Sequence, residues 1–235
     1  MGKRAELSMI LPTYNEVDNL DAIVRDIFTE FKKRRIAGEV IIVDDSSPDC
    51  TGVIADRICR KNDKVKVIHR KGKRGLSSAA MEGFNLSKAK FVGLMDSDRS
   101  HPTKKIGEMY SRVMEGADLV IGSRYIQGGK IEGWGLRRKV LSSTATLLAR
   151  PLTRVLDPMT GFFILKKSLL SKSQINSKGF KILLEIIIKS KPARIVEVPI
   201  TFVDRKKGKS KVSLKEIRFY LSNLLRYYSR KFYDK

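Results

Sequence analysis

The sequence predicts an α/β domain with a mainly parallel central sheet and flanking helices. Three observations predict it. Short β-branched or bulky runs, bounded by polar turns, recur through the first half. Amphipathic helical patterns alternate with them, which calls for right-handed crossovers. The 235 residues, 42% of them hydrophobic, are enough for one sizeable core.

The elements follow in order. Leu7 to Leu11 reads as a buried strand. Val17, Leu20, Ile23, Val24, Ile27, Phe28 and Phe31 then repeat at spacings of three and four, the stripe of an amphipathic helix. Strands at Val40 to Val43, Val65 to Ile68, Phe91 to Met95 and Leu119 to Ile121 alternate with helices at Cys50 to Arg60, Gly75 to Ser87 and Lys104 to Glu115. The second half is less regular. Leu136 to Val155 reads as a helix broken near Pro151. Phe162 to Leu165 reads as a strand and Phe180 to Lys189 as a helix. Ile195 to Val203 reads as an edge or bulged strand, because Pro199 lacks an N–H. Ser213 caps a closing helix in which Ile217, Tyr220, Leu221, Leu224, Leu225 and Tyr228 share a face. The expected division is a catalytic domain over 1–212 and a basic amphipathic helix over 213–235.

Composition narrows the function classes. Lys and Arg number 48 against 25 Asp and Glu, a formal charge of +23. That suits nucleic acid, an anionic membrane face, phosphorylated small molecules, or simply solubility. No apolar run approaches the roughly 20 residues of a spanning helix, since Glu185 interrupts the richest one, Ile182 to Ile188. The apolar segment ending at Pro12 is too short for a secretory signal. Cys50 and Cys59 make no disulfide framework and read as structural, so a reducing, cytosolic setting is expected.

Chemistry concentrates at strand ends. In an open α/β sheet, ligands sit beyond the carboxyl ends of the strands. The first strand runs into Pro12-Thr13-Tyr14-Asn15-Glu16, the second into Asp44-Asp45-Ser46-Ser47-Pro48-Asp49, and the fourth into Asp96-Ser97-Asp98. A single Asp-x-Asp is more often a turn or a helix cap than a site. Three acidic strand ends in one architecture reverse that preference. Carboxylates suit Mg²⁺ or Mn²⁺, which prefer hard oxygen donors and phosphate. Neither a Gly-x4-Gly-Lys-Ser/Thr loop nor a Gly-x-Gly-x-x-Gly follows a strand, which excludes a P-loop NTPase and an ordinary dinucleotide dehydrogenase.

Ile10-Leu11-Pro12-Thr13-Tyr14-Asn15-Glu16, Val43 to Asp49 and Met95-Asp96-Ser97-Asp98 together resemble family 2 glycosyltransferases of GT-A fold, and within them the dolichol-phosphate (polyprenyl-phosphate) mannose synthases. The resemblance continues in order through Lys73 to Ala79, Gly122-Ser123-Arg124-Tyr125, Asp157 to Phe163, Gly179 to Leu183, Val198-Pro199, Asp204-Arg205 and Gly208 to Lys211.

The resemblance implies a GT-A catalytic domain that transfers mannose from GDP-mannose to a dolichyl or polyprenyl phosphate with inversion. It implies that Pro12, Tyr14, Glu16, Val43 and Asp45 hold base and ribose. Asp96, Ser97, Asp98 and Ser100 would hold the sugar nucleotide, with Mg²⁺ or Mn²⁺ at Asp98 and Asp96. Arg124, Arg138 and Ser142 would grip the lipid phosphate, and Arg205 and Lys211 would close over the diphosphate. Asp98, Arg124 and Arg205 would be the catalytic set. Lys206, Lys207 and Lys209 read as solvated charges.

Relatives that act on sugar hydroxyls carry an acidic pair before a helix; here Asp157 is followed by Pro158. A hydroxyl must lose its proton to attack, whereas a phosphate monoester is already anionic, with a second pKa near about 6. The missing second acid fits a phosphate acceptor, with Asp157 either a base or a turn residue. His101 reads as a packing residue and Trp134, within Gln127 to Gly135, as either a lid or a loop anchor. The closing helix suits a membrane interface or the domain's own core, and a small membrane subunit is a second route to the bilayer. The expected place is the cytoplasmic face of a membrane, peripherally bound. A UDP-sugar donor stays open on the residues alone. Nucleic-acid binding is the different-class alternative, and no nucleic acid is expected because the acidic strand ends would repel it.

Overall fold

The computed structural model describes residues 5–72, 75–171, 175, 181–204 and 214–233, the last helix with side chains at 218–229. The first half gives β1 (Leu7–Thr13), α1 (Leu20–Lys33), β2 (Gly38–Asp44), α2 (Thr51–Lys61), β3 (Val65–His69), α3 (Leu76–Leu86) and β4 (Phe91–Leu94). A 3-10 turn (Thr103–Lys105), α4 (Ile106–Met114), β5 (Leu119–Ser123), β6 (Lys130–Glu132) and α5 (Leu136–Ala149) follow. The chain continues through β7 (Phe163–Lys166), α6 (Ser168–Ser171), α7 (Ile182–Ser190), β8 (Ile195–Pro199), β9 (Thr201–Val203) and α8 (Leu214–Tyr233).

Seven strands form the main sheet in the order β3-β2-β1-β4-β7-β5-β8, and β6 pairs with β9 in a separate ribbon. All main-sheet pairs are parallel except those of β7, which runs antiparallel to β4 and β5. Strand order reverses at β1, which lies between β2 and β4 and pairs in parallel with both. A crevice at the carboxyl ends of β1, β2 and β4 is therefore the topological switch point.

Side-chain alternation divides the core between the two faces of the sheet. Leu7, Met9 and Leu11 pack with Ile23, Ile27, Phe31 and Met109 from α1 and α4. Ile10, Ile41 and Val43 face the other way onto Ala80 and Phe84 of α3 and Ile186 of α7. Helix α3 rests directly on β1 because residue 83 is glycine: a Cβ there would lie 2.3 Å from Ile10 Cγ2. A third, smaller cluster joins Ala149, Met159, Leu184, Tyr220 and Leu224, docking α5 and α8 beside α7.

Several expectations are corrected. Helix α1 begins at Leu20, so Val17 lies ahead of it. Helix α5 ends at Ala149, and Val155 lies beyond the turn that Pro151 imposes. The run Ile195 to Val203 is two strands in two sheets. Ile200 divides them: its N–H donates to Ser123 O in the main sheet, and its carbonyl accepts from Lys130 N in the ribbon. The Gln127 to Gly135 stretch contains β6, a three-residue strand whose ends are exposed and which carries no apolar alternation to announce it. Ser213, Lys73, Arg74, Gly179 and Phe180 lie outside the described residues.

Asp118 ties β5 to its neighbours. Its carboxylate accepts from Lys166 Nζ at 2.7 Å and from the backbone N–H groups of Ala193 and Arg194. The Lys166 hydrogen bond, opposed by desolvation and aided by the two amides, holds the Asp118 pKa below its ordinary value. A depressed carboxylate pKa stabilises the fold above the unfolded value of about 4, and the contribution is lost as pH falls through the folded value. In urea titrations, wild type should therefore exceed Asp118→Asn in stability at neutral pH, with the difference shrinking below about pH 4. A difference independent of pH would contradict this role.

Candidate active site at the strand ends

Backbone geometry marks the crevice first. Asn15, Ser46 and Arg99, one beyond each of β1, β2 and β4, have φ of 61°, 62° and 61°. A non-glycine residue in this region costs about 1–2 kcal/mol, and such strain collects where a chain must present groups to a ligand.

These turns hold the predicted donor residues. Asp45 sits beyond β2, 4% exposed, with Oδ1 accepting from Arg70 Nη1 at 2.6 Å and Oδ2 from Gly75 N at 2.8 Å. Arg70, at the end of β3, also donates to Ser78 and Glu82. Beyond β1, the backbone N–H groups of Asn15 and Glu16 donate to Ser47 Oγ and Thr51 Oγ1, while Glu16 Oε2 accepts from Asn19. The β1 and β2 turns are thereby one unit. Pro12 and Tyr14 are half-buried along it, and Val43 is buried in the sheet behind.

Asp96 and Asp98 follow β4. Ser97, between them, turns inward and donates to Pro12 O at 2.9 Å, fastening the β4 turn to β1. Asp98 Oδ1 accepts from both N and Oγ of Ser100. The Ser100 hydroxyl thus orients Asp98, while its carbonyl accepts from Val203 N of β9. Asp96 Oδ2 lies 3.2 Å from Nε2 of the buried His101. His101 therefore does more than pack.

The residues expected on the acceptor side come from the end of β5 and from α5. Arg124 is 8% exposed and Asp157 fully buried. Asp157 accepts from Arg124 Nε at 2.7 Å, Nη2 at 2.8 Å and the Arg124 backbone N at 2.9 Å. Burial works against the guanidinium charge, but the hydrogen bonds and charge of Asp157 outweigh it and raise the Arg124 pKa. Two fork donors expected to face a phosphate therefore face Asp157. The Asp157 carboxylate, with both oxygens on Arg124, is placed as a structural counter-ion rather than as a base.

Trp134 is packed as a loop anchor: it is 8% exposed and lies edge-to-face on Phe202. Arg138 stacks 4.3 Å above its ring and donates to Asp204 at 2.6 Å, while the Tyr125 hydroxyl donates to Ser142 Oγ at 2.9 Å. Arg205 and Lys211 lie outside the described residues. Among the described residues, no group of three His, Cys, Asp or Glu side chains could hold a metal ion by itself.

Sequence reasoning missed Arg70, the His101–Asp96 contact, the Arg124–Asp157 pair and Gly161. Position at the carboxyl end of β3 was the one available signal for Arg70. The loop 157–162 reaches the crevice because β7 is antiparallel, so its starting end lies beside the carboxyl ends of β4 and β5.

Comparison with known proteins shows the family and the fold. The model of glycosyl transferase family 2 matches residues 8–185. The chain is 40% identical over 225 residues to a dolichol-phosphate mannosyltransferase of Pyrococcus furiosus, covering 94% of this chain and 63% of that protein's length. It is 38% identical over 240 residues to the dolichol-phosphate mannosyltransferase of Saccharomyces cerevisiae, covering 97% of this chain and 88% of that one. In structure it resembles a mannosyltransferase from Pyrobaculum calidifontis solved with GDP-Man and Mn²⁺. The TM-score is 0.67 at 16% identity, over 99% of this chain and 65% of that one, a likeness of GT-A fold.

Proposed function

The chain belongs to glycosyl transferase family 2, and from that premise we propose that it moves mannose from GDP-mannose to a dolichyl or polyprenyl phosphate. One observation carries the acceptor class. Asp157, the acid that the sequence offers where a base would stand, is buried and committed to Arg124. A hydroxyl acceptor would need a base; a phosphate monoester attacks as the anion it already is.

The strand-end turns orient the donor: Tyr14 and Glu16 from β1 and Asp45 from β2 hold the nucleoside, and Asp96 holds sugar or ribose hydroxyls. The donor set at Asp96 and Asp98 is carboxylate oxygen, which fits a hard divalent cation such as Mg²⁺ or Mn²⁺. Such an ion, when bound, neutralises charge on the departing diphosphate. Arg138 and Ser142 on α5 receive the acceptor phosphate, with Arg138 and the paired Arg124 both lying over the Trp134 ring; Arg205 and Lys211 close over the donor diphosphate. The acceptor oxygen forms the new bond to C1 as the bond from C1 to the diphosphate oxygen breaks. GDP leaves with that electron pair and the anomeric centre inverts.

Peripheral attachment at the cytoplasmic face of a membrane belongs to the same reading. No helix among the described residues is long and apolar enough to cross a bilayer. Helices α5 and α8 instead expose Leu136, Leu147 and Leu225 at 79%, 69% and 70%, with Val140 and Phe219 beside them. Helix α8 is fixed to α5 by Tyr220, whose hydroxyl donates to Ala145 O, and by Tyr228, which donates to Leu148 O. Its stripe is split: Tyr220, Leu224 and Tyr227 face the fold, while Leu221 and Leu225 face out. The basic residues Arg137, Lys139, Arg218 and Arg226 flank this apolar face, as suits an anionic interface. A small membrane subunit is the further partner this reading allows.

A transfer assay tests it. Purified protein, Mg²⁺ or Mn²⁺ and short-chain polyprenyl phosphate would be offered GDP-mannose, UDP-glucose or UDP-N-acetylglucosamine, in detergent and on anionic vesicles. Mannosyl lipid from GDP-mannose alone is expected. Leu225→Glu should lower the vesicle rate and spare the detergent rate. Product from a UDP donor would overturn the mannose assignment, and nucleotide binding without any product would overturn an autonomous enzyme.

A further inference from the structure

We propose that His101 and Gly161 form a two-sided clamp that positions Asp96 for the donor, an inference that rests on the donor role given above to Asp96. The first jaw is a hydrogen bond. His101 Nε2 lies 3.2 Å from Asp96 Oδ2, with the imidazole 4% exposed. The ring itself is held by two aromatics, tilted 39° on Phe162 and edge-to-face at 81° on Phe202, with centroids 5.3 and 5.1 Å away. Nδ1 is buried and has no hydrogen-bond partner among the described residues.

That asymmetry decides the tautomer. With the proton on Nδ1, a buried N–H would be orphaned and a nitrogen lone pair would face the carboxylate. With the proton on Nε2, the N–H meets Asp96 and only a lone pair goes unpaired. His101 is therefore an Nε2–H donor aimed at one carboxylate oxygen.

The second jaw is an absence of side chain. A Cβ on residue 161 would lie 2.8 Å from Asp96 Oδ1 and 2.9 Å from Oδ2, so only glycine lets the carboxylate occupy its place. The jaws come from opposite directions, His101 from the turn after β4 and Gly161 from the loop before β7. Phe202 is itself fixed by Trp134, which packs edge-to-face on it and carries Arg138 over its ring. His101 is thus a positioning residue that acts through Asp96.

Two kinds of measurement test the clamp. The protein has two histidines, so ¹⁵N spectra compared with those of His69→Asn assign His101 directly, without any substrate. The Nε2–H tautomer is expected, protected from solvent exchange in wild type and losing that protection in Asp96→Ala; an Nδ1–H tautomer would overturn the proposal. Kinetics would use whichever sugar nucleotide the wild type turns over. His101→Phe keeps the aromatic packing but loses the donor, whereas His101→Gln can return an N–H near the place of Nε2. His101→Phe should lower kcat/KM for the sugar nucleotide about 10–100-fold, the scale of a roughly 1 Å misplacement, with the acceptor KM unchanged. His101→Gln should recover most of the loss, and Gly161→Ala should reproduce it. Equal kinetics for the Phe and Gln variants, or unchanged donor kinetics in Gly161→Ala, would overturn the clamp. Should no sugar nucleotide turn over, the proposed function fails while the tautomer still decides the clamp.

Discussion

Asp98→Ala is expected to lower transfer on the order of 10³-fold, the scale set by removing a preorganised charge or metal ligand at a developing anion. The carboxylate sits at the switch point, beyond β4, oriented by two donors from Ser100. Asp98→Asn separates charge from architecture. An amide oxygen can still accept from Ser100 N, so the turn survives while the negative charge is lost. Both variants should retain the wild-type melting temperature within a few degrees, and calorimetry should show loss of metal-dependent nucleotide binding. Full activity in Asp98→Asn would remove the charge from the mechanism and with it the metal assignment.

Asp157→Ala is expected to be the most destabilising single change near the site. It leaves the Arg124 guanidinium buried without its counter-ion, which typically costs about 3–5 kcal/mol. For a chain of this size that corresponds to a fall in melting temperature on the order of 10 °C. The comparison that isolates the pair is Arg124→Met combined with Asp157→Ala, which removes both charges and should regain part of the stability, the remainder being the cost of the Arg124 backbone N–H that loses its acceptor. Urea denaturation of the four proteins gives the coupling energy. A loss below about 1 kcal/mol in Asp157→Ala would mean that Arg124 reaches solvent when unpaired, as surface pairs do. The pair would then be free to serve the acceptor directly.

Both predictions concern residues visible as motifs, yet sequence could place only Asp98 at a strand end and could not show the partner of Asp157. Asp98 belongs to a short local signal: an apolar run, then Asp-x-Asp, in a regular strand–helix alternation. Strand periodicity and turn chemistry act within a few residues, so the parallel sheet and its acidic ends were legible from composition and spacing. The exceptions had local causes. Three-residue β6 carries no alternation, and the Ile195 to Val203 run hides a change of sheet at Ile200 because both halves are extended.

The chain's sequence by itself determined the α/β class, the strand-end acids at Glu16, Asp45, Asp96 and Asp98, and the family resemblance that ordered motifs carry. Tertiary structure alone decided which charges were spent on each other. Arg124 and Asp157 are 33 residues apart, Arg70 and Asp45 are 25 apart, and each pair meets only through strand order. Sequence shows a charge but not its partner, because pairing depends on which strand lies beside which. The antiparallel insertion of β7 brings Asp157 and Gly161 to the crevice, and it turns a candidate base into a counter-ion and a glycine into one side of a clamp.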